Sequence, residues 1–198
     1  MKLYVTKTSP YARLARIVVL EKRLEDRIEI LEATTRTANS PYYLINPSGR
    51  VPYLIDAAGV GMEDSQLICA YLDGLDGTPR FHRSDLDYRR FEAIARSMCD
   101  GVSVWVREMR RPESERSPTI LRHEVSRSQR MADYFETQAS NPIVQGPVLM
   151  AHYVIAVALD IARRDGLGDL TQDRPQLTDL MRHISSRPAM QATAFPPA

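Results

Sequence analysis

The chain has 198 residues, of which 43% are hydrophobic and 26% are charged, and these fractions exclude disordered, collagen-like and coiled-coil classes of protein. Its 26 basic and 25 acidic side chains leave a net charge of +1, so there is no overall positive field to hold nucleic acid or an anionic membrane. The length allows one or two domains.

A strand and a helix are predicted first. Lys2 to Thr6 reads as a strand, and Thr8-Ser9-Pro10 then supplies a hydroxyl cap and a proline at the first helical position. The helix is expected to run to about Lys22 with one apolar stripe on the core. That stripe leaves Arg13 elsewhere, away from the core.

Further short elements follow up to about residue 78. Arg27 to Leu31 predicts a second strand that turns Ile28 and Ile30 inward. A short helix opens at Ser40-Pro41, and the turn cluster 46–52 leads into a third strand, another turn and a short fourth strand. A helix then begins at Asp64-Ser65, which gives the order βαβ followed by ββα.

Helical periodicity takes over in the second half. The turn residues at 73–79 mark a change of architecture, so we predict a first domain at 1–76 and an all-helical domain at 82–198. Its helices are expected at about 84–111, 117–138, 148–165 and 174–186. The fold class predicted is α+β, with an N-terminal βαβ-ββα domain followed by an all-α domain.

The start of the first helix is one place where chemistry could occur. Free backbone N–H groups and the positive end of the helix dipole meet there, so a thiolate brought to Thr8-Ser9-Pro10-Tyr11 would have a lowered pKa. Each unit of lowering corresponds to about 1.4 kcal/mol in favour of the charged form. The same residues are also typical of a simple helix cap, and both interpretations stay open.

Two later segments are candidates for ligand contacts. Val51-Pro52 follows a turn and precedes a strand, where the backbone of the residue before proline could meet a bound peptide, although an ordinary turn proline explains the pair equally. Asp64 and Ser65 lie just ahead of an apolar helical stripe. They either cap that helix or hold the ammonium and carboxylate groups of an α-amino acid.

The order and spacing of these segments resemble the N-terminal domain of the glutathione S-transferase family. The residues that carry the resemblance are Ser-Pro-Tyr-Ala-Arg13, Asn46-Pro-Ser-Gly-Arg-Val-Pro52, Glu63-Asp64-Ser65, Arg174-Pro-Gln-Leu177 and Ser186-Arg-Pro-Ala189. The chain is most similar to bacterial members with a Thr-Ser-Pro start. The resemblance implies a thioredoxin-like first domain that binds glutathione and a helical domain that shapes the pocket for an apolar second substrate.

The resemblance also implies a role for individual residues. Ser9 would be the catalytic residue that activates the glutathione sulfur, with Thr8 as the other hydroxyl that could contact it. Residues expected to bind glutathione are Thr8, Tyr11, Arg50, Val51, Pro52, Asp64 and Ser65. In this set the Val51 backbone pairs with the cysteinyl unit before a cis Pro52, Asp64 and Ser65 hold the γ-glutamyl head, and Arg50 meets the glycyl carboxylate.

The expected activity is a glutathione transferase, with glutathione as co-substrate and a hydrophobic electrophile as partner. Ser9 stands where some family members have a nucleophilic cysteine, and a hydroxyl cannot form a mixed disulfide, so thiol–disulfide exchange is disfavoured. Conjugation, isomerisation and peroxide reduction as a side activity stay open. The alternative is a non-catalytic glutathione-binding or protein-interaction member, favoured by the lack of a catalytic cysteine and by the missing Ser/Thr-x-x-Asp capping box near Gly146–Tyr153. His152 or a water could cap that helix instead, or the helix could begin at Pro147 with frayed amides.

Other residues receive plain interpretations. Cys69 and Cys99 form no Cys-x-x-Cys pair and the histidines lack ligand spacing, so neither a disulfide framework nor a metal is expected. Trp105 and Met109 read as core or as the wall of the second-substrate pocket. The cysteine pattern and the lack of an apolar run long enough to span a bilayer predict a cytoplasmic protein that binds neither nucleic acid nor membrane. The resemblance implies a homodimer and a role in detoxification.

Overall fold

The computed structural model describes residues 1–197, which form two compact units. The first unit comprises Met1–His82 together with Pro188–Pro196, so a segment near the end of the chain returns to it. The second unit comprises Arg83–Arg187 together with Pro197. Because the candidate glutathione residues all precede residue 66, they belong to the first unit.

A four-stranded mixed sheet forms the centre of the first unit. Its strands are β1 (Lys2–Val5), β2 (Glu29–Glu32), β3 (Tyr53–Ile55) and β4 (Gly61–Met62), in the spatial order β2-β1-β3-β4. β1 pairs in parallel with β2 and antiparallel with β3, and β3 pairs antiparallel with β4. The predicted thioredoxin-like βαβ-ββα arrangement is confirmed.

The helices of the first unit are α1 (Pro10–Glu21), α2 (Ser65–Gly74), the short α8 (Pro188–Ala192) and a 3-10 helix at Pro41–Leu44. The apolar stripe of α1 is fully buried, as its spacing predicted. The prediction that Arg13 lies away from the core is wrong, since this side chain is only 2% exposed. Its guanidinium donates to acceptors in the segment that returns from the end of the chain.

The second strand differs from its prediction in one respect. Ile28 is buried, as expected, but Ile30 is 44% exposed although its register partner Leu3 is fully buried. β2 is the edge strand of the sheet and has a neighbour on one side only. The alternating pattern predicts the strand, but it carries no information on whether the strand is central or at the edge of the sheet.

The second unit is helical throughout. Its helices are α3 (Leu86–Met109), α4 (Pro118–Glu136), α5 (Pro142–Gln145), α6 (Met150–Arg164) and α7 (Pro175–Ser185), with a 3-10 helix at Glu113–Glu115. The four long helices were predicted to within two residues at each end. α6 is apolar on nearly all sides and forms the core of this unit.

None of the helices within residues 1–197 combines the length and the apolar character needed to cross a membrane. In the same part of the chain, no three His, Cys, Asp or Glu side chains group so that they could hold a metal ion.

Candidate functional site

Strand pairing brings the three candidate segments together at one end of the strands of the sheet. β1 runs antiparallel to β3, with Tyr4 opposite Tyr53, so residues 6–9 leave the sheet beside residues 51–52 that enter it. β3 runs antiparallel to β4, with Leu54 opposite Met62, so residues 63–65 leave the sheet at that same end of the strands. Helices α1 and α2 both begin there, and each presents the positive end of its dipole.

Ser9 is the N-cap of α1 and keeps a proton available for a ligand. Its backbone is extended, with φ −82° and ψ 121°, and its Oγ accepts a hydrogen bond from the Ala12 N–H at 3.2 Å. Capping uses a lone pair of the hydroxyl and leaves the O–H to donate. Within residues 1–197 this O–H donates to no protein group, so capping and ligand binding by Ser9 are compatible.

The backbone of Val51 lies at the same end of the strands, just before β3. The Val51–Pro52 peptide bond is cis, and no hydrogen bond among residues 1–197 uses the N–H or C=O of Val51. The residue before it is held differently, because the Arg50 carbonyl accepts from Tyr42 Oη at 2.6 Å and from Asn46 Nδ2 at 3.0 Å. Burial raises the pKa of Tyr42, which keeps its hydroxyl protonated for this contact.

The turn at residues 46–50 is built from its own side chains. Asn46 Oδ1 accepts from the Ser48 N–H at 3.2 Å, and Ser48 Oγ accepts from the Arg50 N–H at 3.1 Å. Gly49 has φ +67°, and a Cβ there would lie 2.7 Å from Cε1 of Tyr43. Only glycine adopts this positive φ without strain and leaves room for the Tyr43 ring. The turn therefore has a fixed shape.

Glu63 joins that turn to the start of α2, and sequence reasoning missed it. Its Oε2 accepts from Asn46 Nδ2 at 2.9 Å and also from Ser48 Oγ. The cluster Glu63-Asp64-Ser65 was recognised, but nothing in the sequence tells which of two adjacent acids faces the turn. The carboxylate of Glu63 is used inside the protein, which leaves Asp64 as the acid available to a ligand.

Asp64 caps α2 with one of its two carboxylate oxygens. Its Oδ1 accepts from the Gln66 and Leu67 N–H groups at 2.8 and 3.0 Å, whereas its Oδ2 makes no hydrogen bond within the described chain. The residue is exposed and has φ +80°, a strained backbone for a side chain other than glycine. Such strain often occurs where a binding site fixes the backbone.

The other predicted residues differ in exposure. Thr8 and Arg50 are exposed, Tyr11 is half-buried, and Pro52 and Ser65 are buried. Trp105, 7% exposed, and the half-buried Met109 lie on α3 in the second unit. The first unit therefore holds a hydroxyl donor, a backbone N–H and C=O without hydrogen bonds to described residues, and a carboxylate at one end of its strands. This arrangement suits a short extended peptide with a nucleophilic or anionic group near Ser9.

Comparison with known proteins identifies the family to which this chain is similar. The family model for the glutathione S-transferase N-terminal domain matches residues 3–80. The uncharacterised GST-like protein YibF of Escherichia coli K12 is 30% identical over 205 residues, covering all of both chains.

Solved structures show the same likeness over the full length. A glutathione S-transferase from Methylobacillus flagellatus KT with GSH bound is 25% identical with a TM-score of 0.86, covering 100% of this chain and 99% of that one. A glutathione transferase family member from Pseudomonas fluorescens Pf-5, with bound S-(propanoic acid)-glutathione, is 26% identical with a TM-score of 0.81 and full coverage of both chains. Gtt2 from Saccharomyces cerevisiae, 21% identical, has a TM-score of 0.82 over 98% of this chain and 100% of its own, and shows the fold.

Proposed function

The chain belongs to the glutathione S-transferase family, and from that membership we propose that it binds reduced glutathione and activates its thiol. The thiolate would then attack a hydrophobic electrophilic small molecule. Support for the ligand comes from the site geometry and from relatives whose structures contain glutathione or a glutathione conjugate.

One observation carries the proposal: the hydroxyl of Ser9 caps α1 and still has its proton to donate. A thiol sulfur within reach of that proton lies at the N-terminus of α1, where both the hydrogen bond and the helix dipole favour the thiolate. The thiol proton passes to solvent, and the sulfur lone pair then forms the bond to the electrophilic carbon while the bond from that carbon to its leaving group breaks. The leaving group, such as a halide ion, departs to solvent with the bonding electron pair. Thr8, exposed and one residue earlier, is the second hydroxyl that could contact the sulfur.

The rest of the tripeptide would be bound by the other two segments. The unpaired N–H and C=O of Val51 suit the backbone of the cysteinyl unit, as in the pairing of an added strand. Asp64 Oδ2 suits the γ-glutamyl ammonium, and the hydroxyl of Ser65 suits its carboxylate. The exposed guanidinium of Arg50 suits the glycyl carboxylate.

The reaction proposed is conjugation, with peroxide reduction as a side activity. A serine hydroxyl provides no thiol for a mixed disulfide, which disfavours disulfide exchange at this position. We propose Trp105 and Met109 of α3 as contacts for the electrophile. We propose that this activity removes electrophiles in the cytoplasm.

Two measurements on the wild-type protein test the proposal. Calorimetric titration with reduced glutathione should show saturable binding, and assays with a chromogenic aryl halide and an organic hydroperoxide should show turnover. Binding without turnover of either substrate would indicate the alternative, a non-catalytic glutathione-binding protein. Absence of binding would overturn the site assignment at both Ser9 and Asp64.

A further inference from the structure

The buried Arg13 side chain fastens α1 to the segment that returns near the end of the chain. Its Nη2 donates to the Met190 carbonyl at 3.0 Å, and its Nε donates to Thr193 Oγ1 at 3.4 Å. The guanidinium carbon lies 4.4 Å from the centroid of the Phe195 ring, in a cation–π contact. We call residues 188–196 the C-terminal clasp.

Thr193 is buried and hydrogen-bonded within the clasp. Thr193 is 1% exposed, and its Oγ1 donates to the Ala189 carbonyl at 2.7 Å while accepting from Arg13. Arg13 is separated from Met190 by 177 residues and from Thr193 by 180 residues. A contact between such distant parts of the chain is absent from any local pattern of the sequence.

Arg13 is also bonded to Ser9 through the backbone. Its N–H donates to the Ser9 carbonyl at 3.0 Å and thereby closes the first turn of α1. The side chain and the main chain of one residue thus connect the clasp to the turn that carries the hydroxyl of Ser9.

We propose that Arg13 is a positioning residue for Ser9, and that the clasp belongs functionally to the thiol site. This inference rests on the proposed function. The ends of helices fray because their terminal amides lack intrahelical partners, and fraying of the first turn would move the Ser9 hydroxyl. A displacement of about 1 Å from the reacting geometry can reduce a rate by as much as about a hundredfold.

Arginine is the residue type that these contacts require. Its planar guanidinium donates to a carbonyl and a hydroxyl while stacking on an aromatic ring, whereas the ammonium group of lysine cannot do all three. Arg13→Lys therefore keeps the charge and loses the clasp geometry. Thr193→Val removes the hydroxyl that accepts from Arg13 and donates to the Ala189 carbonyl, so it weakens the clasp without any substitution in α1.

The experiment compares Arg13→Lys and Thr193→Val with wild type and with Arg23→Lys, an exposed arginine just beyond α1. For each protein, kcat, KM for glutathione and the pKa of the bound thiol are measured and normalised to the folded fraction from circular dichroism. Arg13→Lys should lower kcat by about tenfold and raise the thiol pKa, with KM nearly unchanged because residues 51, 64 and 65 are intact. Thr193→Val should show the same pattern more weakly, and Arg23→Lys should match wild type.

Hydrogen exchange of the apoprotein separates this inference from the proposed function. Amides of Ala12 and Arg13 should exchange faster in Arg13→Lys and Thr193→Val, while those of α2 stay as in wild type. Unchanged exchange, or loss of activity no greater than the loss of folded protein, would overturn the positioning role. If wild type fails to bind glutathione, the proposed function fails, and exchange alone still decides whether the clasp holds the turn.

Discussion

Two residues at the start of helices each have one group used within the protein and one group left for a ligand. The Ser9 hydroxyl accepts from Ala12 and retains its proton, and the Asp64 carboxylate caps α2 with Oδ1 and retains Oδ2. Capping and ligand binding are therefore compatible functions at both positions. The electrostatic reason is the same in each case, since both side chains stand at the positive end of a helix.

Asp64→Asn separates these two functions. The amide oxygen of asparagine can still accept from the first amides of α2, so the helix should stay capped, but the negative charge is lost. Because a hydrogen bond to a charged group contributes about 1.5–3 kcal/mol, glutathione should bind roughly 10- to 100-fold more weakly. Calorimetric titration measures this change.

The matched control is Asp85→Asn, which makes the same substitution at the N-cap of α3 in the second unit. It should leave glutathione affinity unchanged. Equal affinity of Asp64→Asn and wild type would show that Asp64 is only a cap.

At the scale of elements, α6 begins with a cap that differs from the expected Ser/Thr-x-x-Asp box. Leu149 has no side-chain acceptor, but its N–H donates to Nδ1 of His152 at 3.0 Å. Nε2 then carries the ring proton and lies 3.3 Å from the Val144 carbonyl. This contact requires a neutral ring, and burial lowers the pKa of His152.

The stability of the protein should therefore depend on the protonation of His152. A histidine with a lowered folded-state pKa contributes its full stability above the unfolded pKa of about 6.5, and that contribution is lost as the pH falls below it. Urea denaturation should give a smaller free energy of unfolding at pH 5 than at pH 7. His152→Asn, which keeps a neutral acceptor, should reduce this difference.

His123→Asn serves as the control, since this histidine is exposed on α4. It should retain the pH dependence of wild type. A wild-type pH dependence that survives in His152→Asn would show that another group titrates.

The end of α2 is held by a buried carboxylate. Burial alone would raise the pKa of Asp73, but hydrogen bonds from the ring of His82 and from the N–H groups of Arg80, Phe81 and His82 lower it from 3.8 to about 2. Lys22 Nζ, 1% exposed in its side chain, lies 3.6 Å from Asp73 Oδ1. These contacts tie residues 80–82 to both α1 and α2.

Asp73 should stabilise the first unit except in acid. Its depressed pKa contributes on the order of 2 kcal/mol at neutral pH, which is lost as the pH falls from about 4 to about 2. Asp73→Asn should thus lower the free energy of unfolding by about 2 kcal/mol at pH 7, measured by urea denaturation. Asp87→Asn, whose ion pair with Arg90 is exposed, should change it by less than about 0.5 kcal/mol.

At the scale of the whole molecule, local patterns explain most of the fold and part of the site. Cap residues, prolines at helix starts and apolar periodicity predicted α1, α2 and the long helices of the second unit, because these signals lie within a few residues of the elements they specify. The returning segment 188–196 and the burial of Arg13 depend on contacts across nearly the whole chain. The meeting of residues 9, 51 and 64 at one end of the strands likewise depends on the register of strands that are distant in sequence.

Assembly is a further property of the whole chain, and we propose a homodimer. Two large apolar side chains of the first unit are exposed near β4 in sequence, namely Val60, just before β4, at 59% and Leu67, in the first turn of α2, at 55%. Burial of apolar side chains in an interface removes them from water, which stabilises association. Sedimentation equilibrium should give twice the mass of the chain, and Leu67→Glu should shift it toward the monomer.

Ile30→Glu is the control for that shift. Ile30 is 44% exposed on β2, at the opposite edge of the sheet. It should leave the dimer intact. A monomeric wild-type protein would contradict the proposal.

The most direct measurement is an ultraviolet titration of the glutathione thiol bound to wild type, Ser9→Ala, Ser9→Thr and Thr8→Ala. Loss of one hydrogen bond to a charged sulfur, about 1.5–3 kcal/mol, should raise the thiol pKa by about one to two units in Ser9→Ala. Ser9→Thr and Thr8→Ala should titrate close to wild type. A thiol pKa that is the same in Ser9→Ala and wild type would contradict activation of glutathione by Ser9.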